Sequence, residues 1–148
     1  MGTCTDVGQP GSSISLSDNP LPNGVICNLS GYGQSANGQT AQVIAVNGSV
    51  VAQISCSGGP GGPITPMLPP ATGLQSFFTP VSTMQPYTVT IKNTGNQVSQ
   101  VIKAYDSISA GTTTYTGSWV FISEDSPSGG DCDFNDSTVL LSWNLSAG

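Results

Sequence analysis

Thr40–Cys56 reads TAQVIAVNGSVVAQISC. Two runs rich in Val, Ile, Ala and Gln, Thr40–Val46 and Ser49–Cys56, flank Asn47-Gly48. β-Branched residues suit a pleated strand, and Asn-Gly is the strongest short hairpin signal, because both positions of a two-residue turn need positive φ. The segment predicts an antiparallel hairpin, and the same strand-and-turn pattern continues in both directions. Upstream, Gly24–Gly31 (GVICNLSG) reads as a strand. Residues 1–20 are polar and read as an arm or a first edge strand. Downstream, residues 57–73 (SGGPGGPITPMLPPATG) hold too much Gly and Pro to sustain a ladder and read as loop. Gln75–Phe78 is a short apolar strand between prolines.

Tyr87–Lys92 (YTVTIK) alternates cleanly, with Tyr87, Val89 and Ile91 on one face and Thr88, Thr90 and Lys92 on the other. A turn at residues 93–96 leads into a strand over Gln97–Tyr105. A long strand covers Thr112–Ser123, with Trp119 and Phe121 on one side. A last strand, Thr138–Leu145, places Val139, Leu141, Trp143 and Leu145 on one face. Trp119, Trp143, Tyr87 and Phe121 are expected in the core. No helical period and no internal repeat emerge. Eight to nine short strands with Gly/Pro turns predict an all-β antiparallel sandwich of jelly-roll or Greek-key type, a single domain over 1–148.

Charged residues make up 7% of the 148-residue chain, against about a quarter in typical domains. Ser, Thr, Asn, Gln and Gly fill the surface instead. The net charge is −6, and Lys92 and Lys103 are the only basic residues, so no basic patch exists to neutralise phosphates. Nucleic acid is excluded as a partner, and an anionic membrane surface is disfavoured. No run of about 18 apolar residues is present, so membrane insertion by a helix is excluded. The N-terminal Met-Gly-Thr-Cys-Thr-Asp has neither a basic n-region nor an apolar h-region and is not expected to be a secretory signal.

Five of the eight acidic residues, Glu124, Asp125, Asp131, Asp133 and Asp136, fall within Glu124–Asp136, with no basic residue near them in sequence. Crowded carboxylates repel, and each must stay solvated, take up a proton or find a cation. A hard divalent cation with oxygen ligands is the simplest solution, and Ca²⁺ suits a carboxylate, amide and carbonyl set. Asp131, Asp133 and Asn135 are spaced two apart, which in an extended stretch projects them to one side. Cys132 and Phe134 then face the other side and anchor the loop. Gly129-Gly130 lets the chain reverse so that Glu124 and Asp125 return toward Asp131. Four carboxylates exceed the charge of one Ca²⁺, which leaves room for a second ion. An EF-hand is excluded, because counting from Asp131 the sixth and twelfth positions hold Asp136 and Ser142. The alternative is a solvated Asx-turn loop.

The four cysteines, Cys4, Cys27, Cys56 and Cys132, form no CxxC pair, and the chain has no His, so a zinc site is not expected. Three connectivities are open; Cys27–Cys56 with Cys4–Cys132 is the expected one, and four reduced thiols are the alternative.

The stretch FISEDSPSGGDCDFNDSTVLLSWNLSAG (Phe121–Gly148) resembles the C-terminal signature of the LecB-like two-calcium bacterial lectins that bind fucose and mannose. That signature runs Glu-Asp, a short loop, Asp-x-Asp-(Tyr/Phe)-Asn-Asp, a valine-rich strand, Trp and a C-terminal Gly. A second, less specific match begins at Leu21 (LPNGVICNLSGYGQSANGQTAQVIAVNG). The resemblance implies that Glu124, Asp131, Asp133, Asn135 and Asp136 are calcium ligands, with Asp133 and Asp136 bridging two ions. It places Gln34 where a backbone carbonyl meets calcium. It makes Asp125 and Asp131 acceptors for sugar hydroxyls, and puts Ser35, Ala36 and Asn37 on the loop that sets sugar preference. It implies a homodimer or higher homo-oligomer, in which the Gly148 carboxylate reaches a neighbour's calcium. Three features depart from the pattern. Ser-Pro-Ser-Gly-Gly lengthens the Glu-to-Asp loop, the tail after Trp143 is longer, and Gln34 replaces an Asn. The longer loop also fits a calcium-binding module of large bacterial surface adhesins.

The leading expectation is a calcium-dependent, sugar-binding protein with carbohydrate as its partner, acting outside the cell or at its surface. A calcium-stabilised structural or adhesive β module is the alternative. An enzyme is not expected. Glu124 and Asp131 could pair as glycosidase acid and base, but the metal needs both, and Cys132 has no partner base.

Overall fold

A computed structural model describes residues 9–10, 13–71, 73–125 and 131–145. Its elements are β1 (Gln9–Pro10), β2 (Ile14–Ser15), β3 (Val25–Gly33), β4 (Gln39–Ile44), β5 (Val50–Cys56), β6 (Thr65–Pro66), β7 (Ser76–Phe78), β8 (Thr88–Asn93), β9 (Gln100–Ala110), β10 (Thr113–Ser123) and β11 (Ser137–Leu145). They form two antiparallel sheets, with no helix among the described residues. The larger runs β1-β9-β10-β11-β3-β6, with β7 also on β3; the smaller runs β2-β8-β4-β5. The all-β sandwich expected from the pattern is therefore what the chain adopts.

The hairpin of Thr40–Cys56 forms as β4 and β5, with Ala41 opposite Ile54 and Thr40 opposite Ser55. Its turn is longer than Asn47-Gly48 alone. The Gly48 N–H donates to the Ala45 carbonyl, and only Gly48 of the pair has a positive φ, +86°. Asn47 instead accepts the Ser49 N–H on its side-chain oxygen at 2.9 Å. This is the three-residue hairpin connection, a turn followed by a left-handed glycine, with a register shift at Val43/Ile44.

Alternation fixes which residues meet between the sheets. Ala41, Val43, Ile54, Val89 and Ile91 from the smaller sheet face Leu29, Trp119, Phe121, Val139 and Leu141 from the larger, all buried. Trp119 sits 5.2 Å from the Tyr105 ring and 6.2 Å from that of Phe121. Trp143 lies over Gly117, where any Cβ would strike its indole, and donates its ring N–H to the Tyr105 hydroxyl at 3.3 Å.

Four expectations need correction. Leu145 is 45% exposed, because β11 outruns its cover there. Residues 57–73 are not all loop: Thr65–Pro66 pairs with Tyr32 and Gly33, since an edge position tolerates a proline with no N–H. β9 extends to Ala110, beyond Tyr105, in a solvent-exposed ribbon with β10. Cys27 and Cys56 are free thiols, so the expected Cys27–Cys56 bridge does not form. A Cβ on Gly33 would lie 2.5 Å from the Cys56 sulfur, whereas Cys27 is six residues back along β3. At about 3.3 Å per residue that separation is roughly 20 Å, far beyond the reach of a disulfide. Burial pushes the Cys27 thiol up to about 12.

Candidate metal and ligand site

The acidic loop joins β10 to β11 at one end of the sandwich, between two central strands of the larger sheet. Backbone bonds fix its two ends. The Glu124 N–H donates to the Gln100 carbonyl, the Asp136 N–H to the Ser123 carbonyl, and the Gln34 N–H to the Asp136 carbonyl at 2.8 Å. Ser123 and Ser137 face each other across the strand pair and are hydrogen-bonded at 2.5 Å. The loop therefore springs from a rigid platform, which is where sandwich folds place binding residues.

Residues 131–135 are not extended. Cys132 and Phe134 both adopt left-handed φ, +63° and +54°, a conformation that costs a non-glycine residue about 1–2 kcal/mol. The chain coils instead of alternating. Phe134 is buried as expected and plugs the loop into the protein, while Cys132 is exposed and disulfide-bonded. The coil turns the Phe134 N–H onto Glu124 Oε1 at 2.6 Å.

Glu124 is completely buried, and its Oε2 has no hydrogen-bond partner. Carboxylate oxygens of Glu124, Asp131 and Asp133 lie within 4.8 Å of one another. No salt bridge relieves them among the described residues. Burial pushes the Glu124 carboxyl up, against the Phe134 N–H that holds it down, and Asp131, Asp133 and Asp125 push it further up. Asp136 is raised to about 7, first by burial, then by Asp125 and Glu124. An isolated buried carboxylate costs several kcal/mol unless it is paired or protonated. A buried oxygen with no partner, facing further acids and no base, has the donor chemistry of a hard-cation site.

Asn135 and Asp136 adjoin this trio in sequence, and Asp136 lies outside the group within 4.8 Å. Asn135 donates from its side-chain amide to Asp133 Oδ2 at 2.6 Å, which leaves its amide oxygen outside that bond. Asp136 Oδ2 accepts the Asp125 N–H at 2.9 Å.

Asp125 links this loop to a second one. Its Oδ2 accepts from the Ser35 hydroxyl at 3.1 Å and from the Asn37 amide at 2.9 Å. Ser35 is buried and also caps the Asn37 N–H, whereas Gln34, Ala36 and Asn37 are exposed. The structure thus brings Gln34, Ser35, Ala36 and Asn37 beside the acids. Gly148, Cys4 and Gly129-Gly130 lie outside the described residues.

Two supports of the site left no clear mark in the sequence. Asn93, at the end of β8, donates to the Asp125 carbonyl at 2.7 Å. The loop after β5 braces Ser35–Asn37: the Gly59 N–H donates to the Ser35 carbonyl, and Gly58, with φ +69°, packs so closely that a Cβ would lie 2.5 Å from the Asn37 carbonyl carbon. Its Gly-rich composition was the available signal, since glycine is needed where backbones touch.

Residues 19–145 match the sequence model described as fucose-binding lectin II (PA-IIL). A search of curated protein sequences finds no match. Among solved structures, a Ralstonia solanacearum high-affinity mannose-binding lectin is similar at a TM-score of 0.61 and 24% identity. The Chromobacterium violaceum lectin CV2L, in complex with alpha-methyl-fucoside, is similar at 0.59 and 22%. Each alignment covers 86% of this chain and 95% of the other. At these identities the structural likeness establishes the shared fold.

Proposed function

The chain belongs to the fucose-binding lectin II (PA-IIL) family, and from that premise we propose that it binds fucose- or mannose-type sugars through Ca²⁺ held by the β10–β11 loop. The family consists of carbohydrate-binding lectins, which are not enzymes, so carbohydrate is the partner. The observation that carries the calcium reading is the buried, partnerless Oε2 of Glu124, set among acids with no counter-charge.

Glu124, Asp131, Asp133 and Asp136 would hold the metal with their carboxylates, and Asn135 with its amide oxygen. Four negative charges exceed one Ca²⁺, which supports two ions. When bound, Ca²⁺ supplies direct coordination of vicinal sugar hydroxyls, stronger than neutral hydrogen bonds that water contests. The remaining work falls to side chains. Asp125 Oδ2 is already held by Ser35 and Asn37, which leaves Oδ1 to accept from a sugar hydroxyl. Asp131, exposed at the rim, offers a second acceptor. Ala36 and Asn37 stand beside these acceptors and set which stereochemistry fits.

We also propose a homodimer or higher oligomer. The outward face of the larger sheet carries Ile102 opposite Ile122 and Val120 opposite Leu140, an apolar strip suited to a second copy. The disulfide at Cys132 supports action outside the cell or at its surface, where disulfides persist.

Mannose- or fucose-agarose tests the reading. The protein is expected to be retained in Ca²⁺ and released by EDTA. Absence of retention, or retention indifferent to chelator, would count against it and favour a structural β module.

A further inference from the structure

The outer face of the smaller sheet carries a polar groove that adjoins the sugar-preference loop. Across β4 and β8, Thr40 lies opposite Lys92 and Gln42 opposite Thr90. These four side chains, with Thr94 and Asn96 of the following turn, line a depression of about 450 Å³. Its size falls within the range of small-ligand sites. Hydroxyls and amides dominate the lining, and Lys92 supplies its one positive charge.

Three observations connect this groove to saccharide binding. First, it is contiguous with the site. Asn93, on its wall, donates to the Asp125 carbonyl at 2.7 Å, and the Thr94 N–H donates to the Gly38 carbonyl at 3.0 Å, one residue beyond Asn37. A sugar beside Asp125 and Asn37 therefore has this depression as its neighbour. Second, the floor is preorganised. Gln42 donates to Gln53 at 2.6 Å and accepts from Thr90 at 3.4 Å, so its amide is fixed in orientation. Third, the charge is unspent. Lys103 donates to the Ser15 carbonyl and lies 5.3 Å from the Trp119 ring centre, whereas the Lys92 ammonium has no hydrogen bond or ion pair among the described residues.

Resting on the lectin reading above, we propose that this groove is a second saccharide subsite. It takes the ring next to the metal-bound sugar and prefers one bearing a carboxylate, which the Lys92 ammonium recognises. Hydroxyls of that ring exchange hydrogen bonds with Thr40, Thr94 and Asn96. The carboxylate enters here because Lys92 is the ammonium that lines this groove, whereas Lys103 is held against Ser15 and Trp119. The preferred glycan is thus an oligosaccharide with a neutral terminal sugar and an acidic penultimate one.

The test is calorimetry on the Ca²⁺-loaded full chain with four probes: methyl α-mannoside, methyl α-fucoside, a neutral mannose disaccharide, and a disaccharide of mannose linked to glucuronic acid. The acidic disaccharide is expected to bind about fivefold more tightly than the neutral one in low salt, and the gap should close in 0.5 M NaCl. Lys92→Gln is expected to abolish that gap while leaving methyl α-mannoside binding unchanged, which also reports that the variant is folded. Equal binding of the two disaccharides to the wild type, or an undiminished preference in Lys92→Gln, would overturn the subsite while the lectin reading stands. No binding of methyl α-mannoside or of a fucoside in Ca²⁺ would overturn both.

Discussion

Glu124 accepts one hydrogen bond, from Phe134, and leaves its other oxygen buried without a partner. A neutral isostere would relieve this position without changing its shape. Glu124→Gln is therefore expected to leave the metal-free melting temperature unchanged or raised, and to weaken Ca²⁺ binding at least about tenfold, or ~1.4 kcal/mol. Calorimetry and melting of both forms check this; a variant that binds Ca²⁺ normally would remove Glu124 from the site. Asp136 gives a pH signature. Its native carboxyl is raised from 3.8 to about 7, so the metal-free fold favours the protonated form. The stability this group contributes is full below pH 3.8 and is lost as pH rises through about 7. A cation must displace that proton, so Ca²⁺ affinity should fall from pH 8 to pH 6, with proton release visible as buffer-dependent heat near pH 6.5. Heat independent of the buffer would contradict it. Cys27, with its thiol pushed up to about 12, should resist alkylation in the native protein and react on unfolding. The composition of the acidic loop was legible at this scale, since five acids without a base near them must stay solvated, take up a proton or find a cation. The left-handed φ of Cys132 and Phe134 was not legible, because a spacing of two suggests extension and nothing local encodes the coil.

Strands with strict alternation were read at nearly their true limits. Tyr87–Lys92 differs from β8 by one residue at each end, and Thr138–Leu145 from β11 by one at its start. The end of β9 escaped because Asp106–Ala110 are solvent-exposed or nearly so, and no buried face imposes a period. The Cys27–Cys56 expectation failed for a related reason: cysteine spacing carries no information on position along a strand. The brace of Gly58 against Asn37 is likewise a tertiary contact, and it yields a prediction. Gly58→Ala places a Cβ into backbone at φ +69°, a conformation costing about 1–2 kcal/mol. It should displace Ser35–Asn37 and weaken sugar binding by about tenfold while Ca²⁺ binding persists. Unchanged sugar affinity, measured by calorimetry, would show that the brace does not set the loop.

At the scale of the whole molecule, a chain poor in charge concentrates its acids at one end of a neutral, hydroxyl-rich sandwich. The core needs no metal: Trp119, Phe121, Leu29 and Ile91 are buried by the sheets alone. The metal-free protein is therefore expected to fold. Metal binding to the native state alone must raise stability in proportion to the logarithm of free metal. The most direct measurement is the melting temperature of the EDTA-stripped protein against free Ca²⁺. The account predicts a continuous rise, worth about 1.4 kcal/mol per tenfold increase above the dissociation constant for each ion bound, and in Glu124→Gln a rise displaced to at least about tenfold higher Ca²⁺. A melting temperature indifferent to Ca²⁺ up to millimolar concentrations would contradict it.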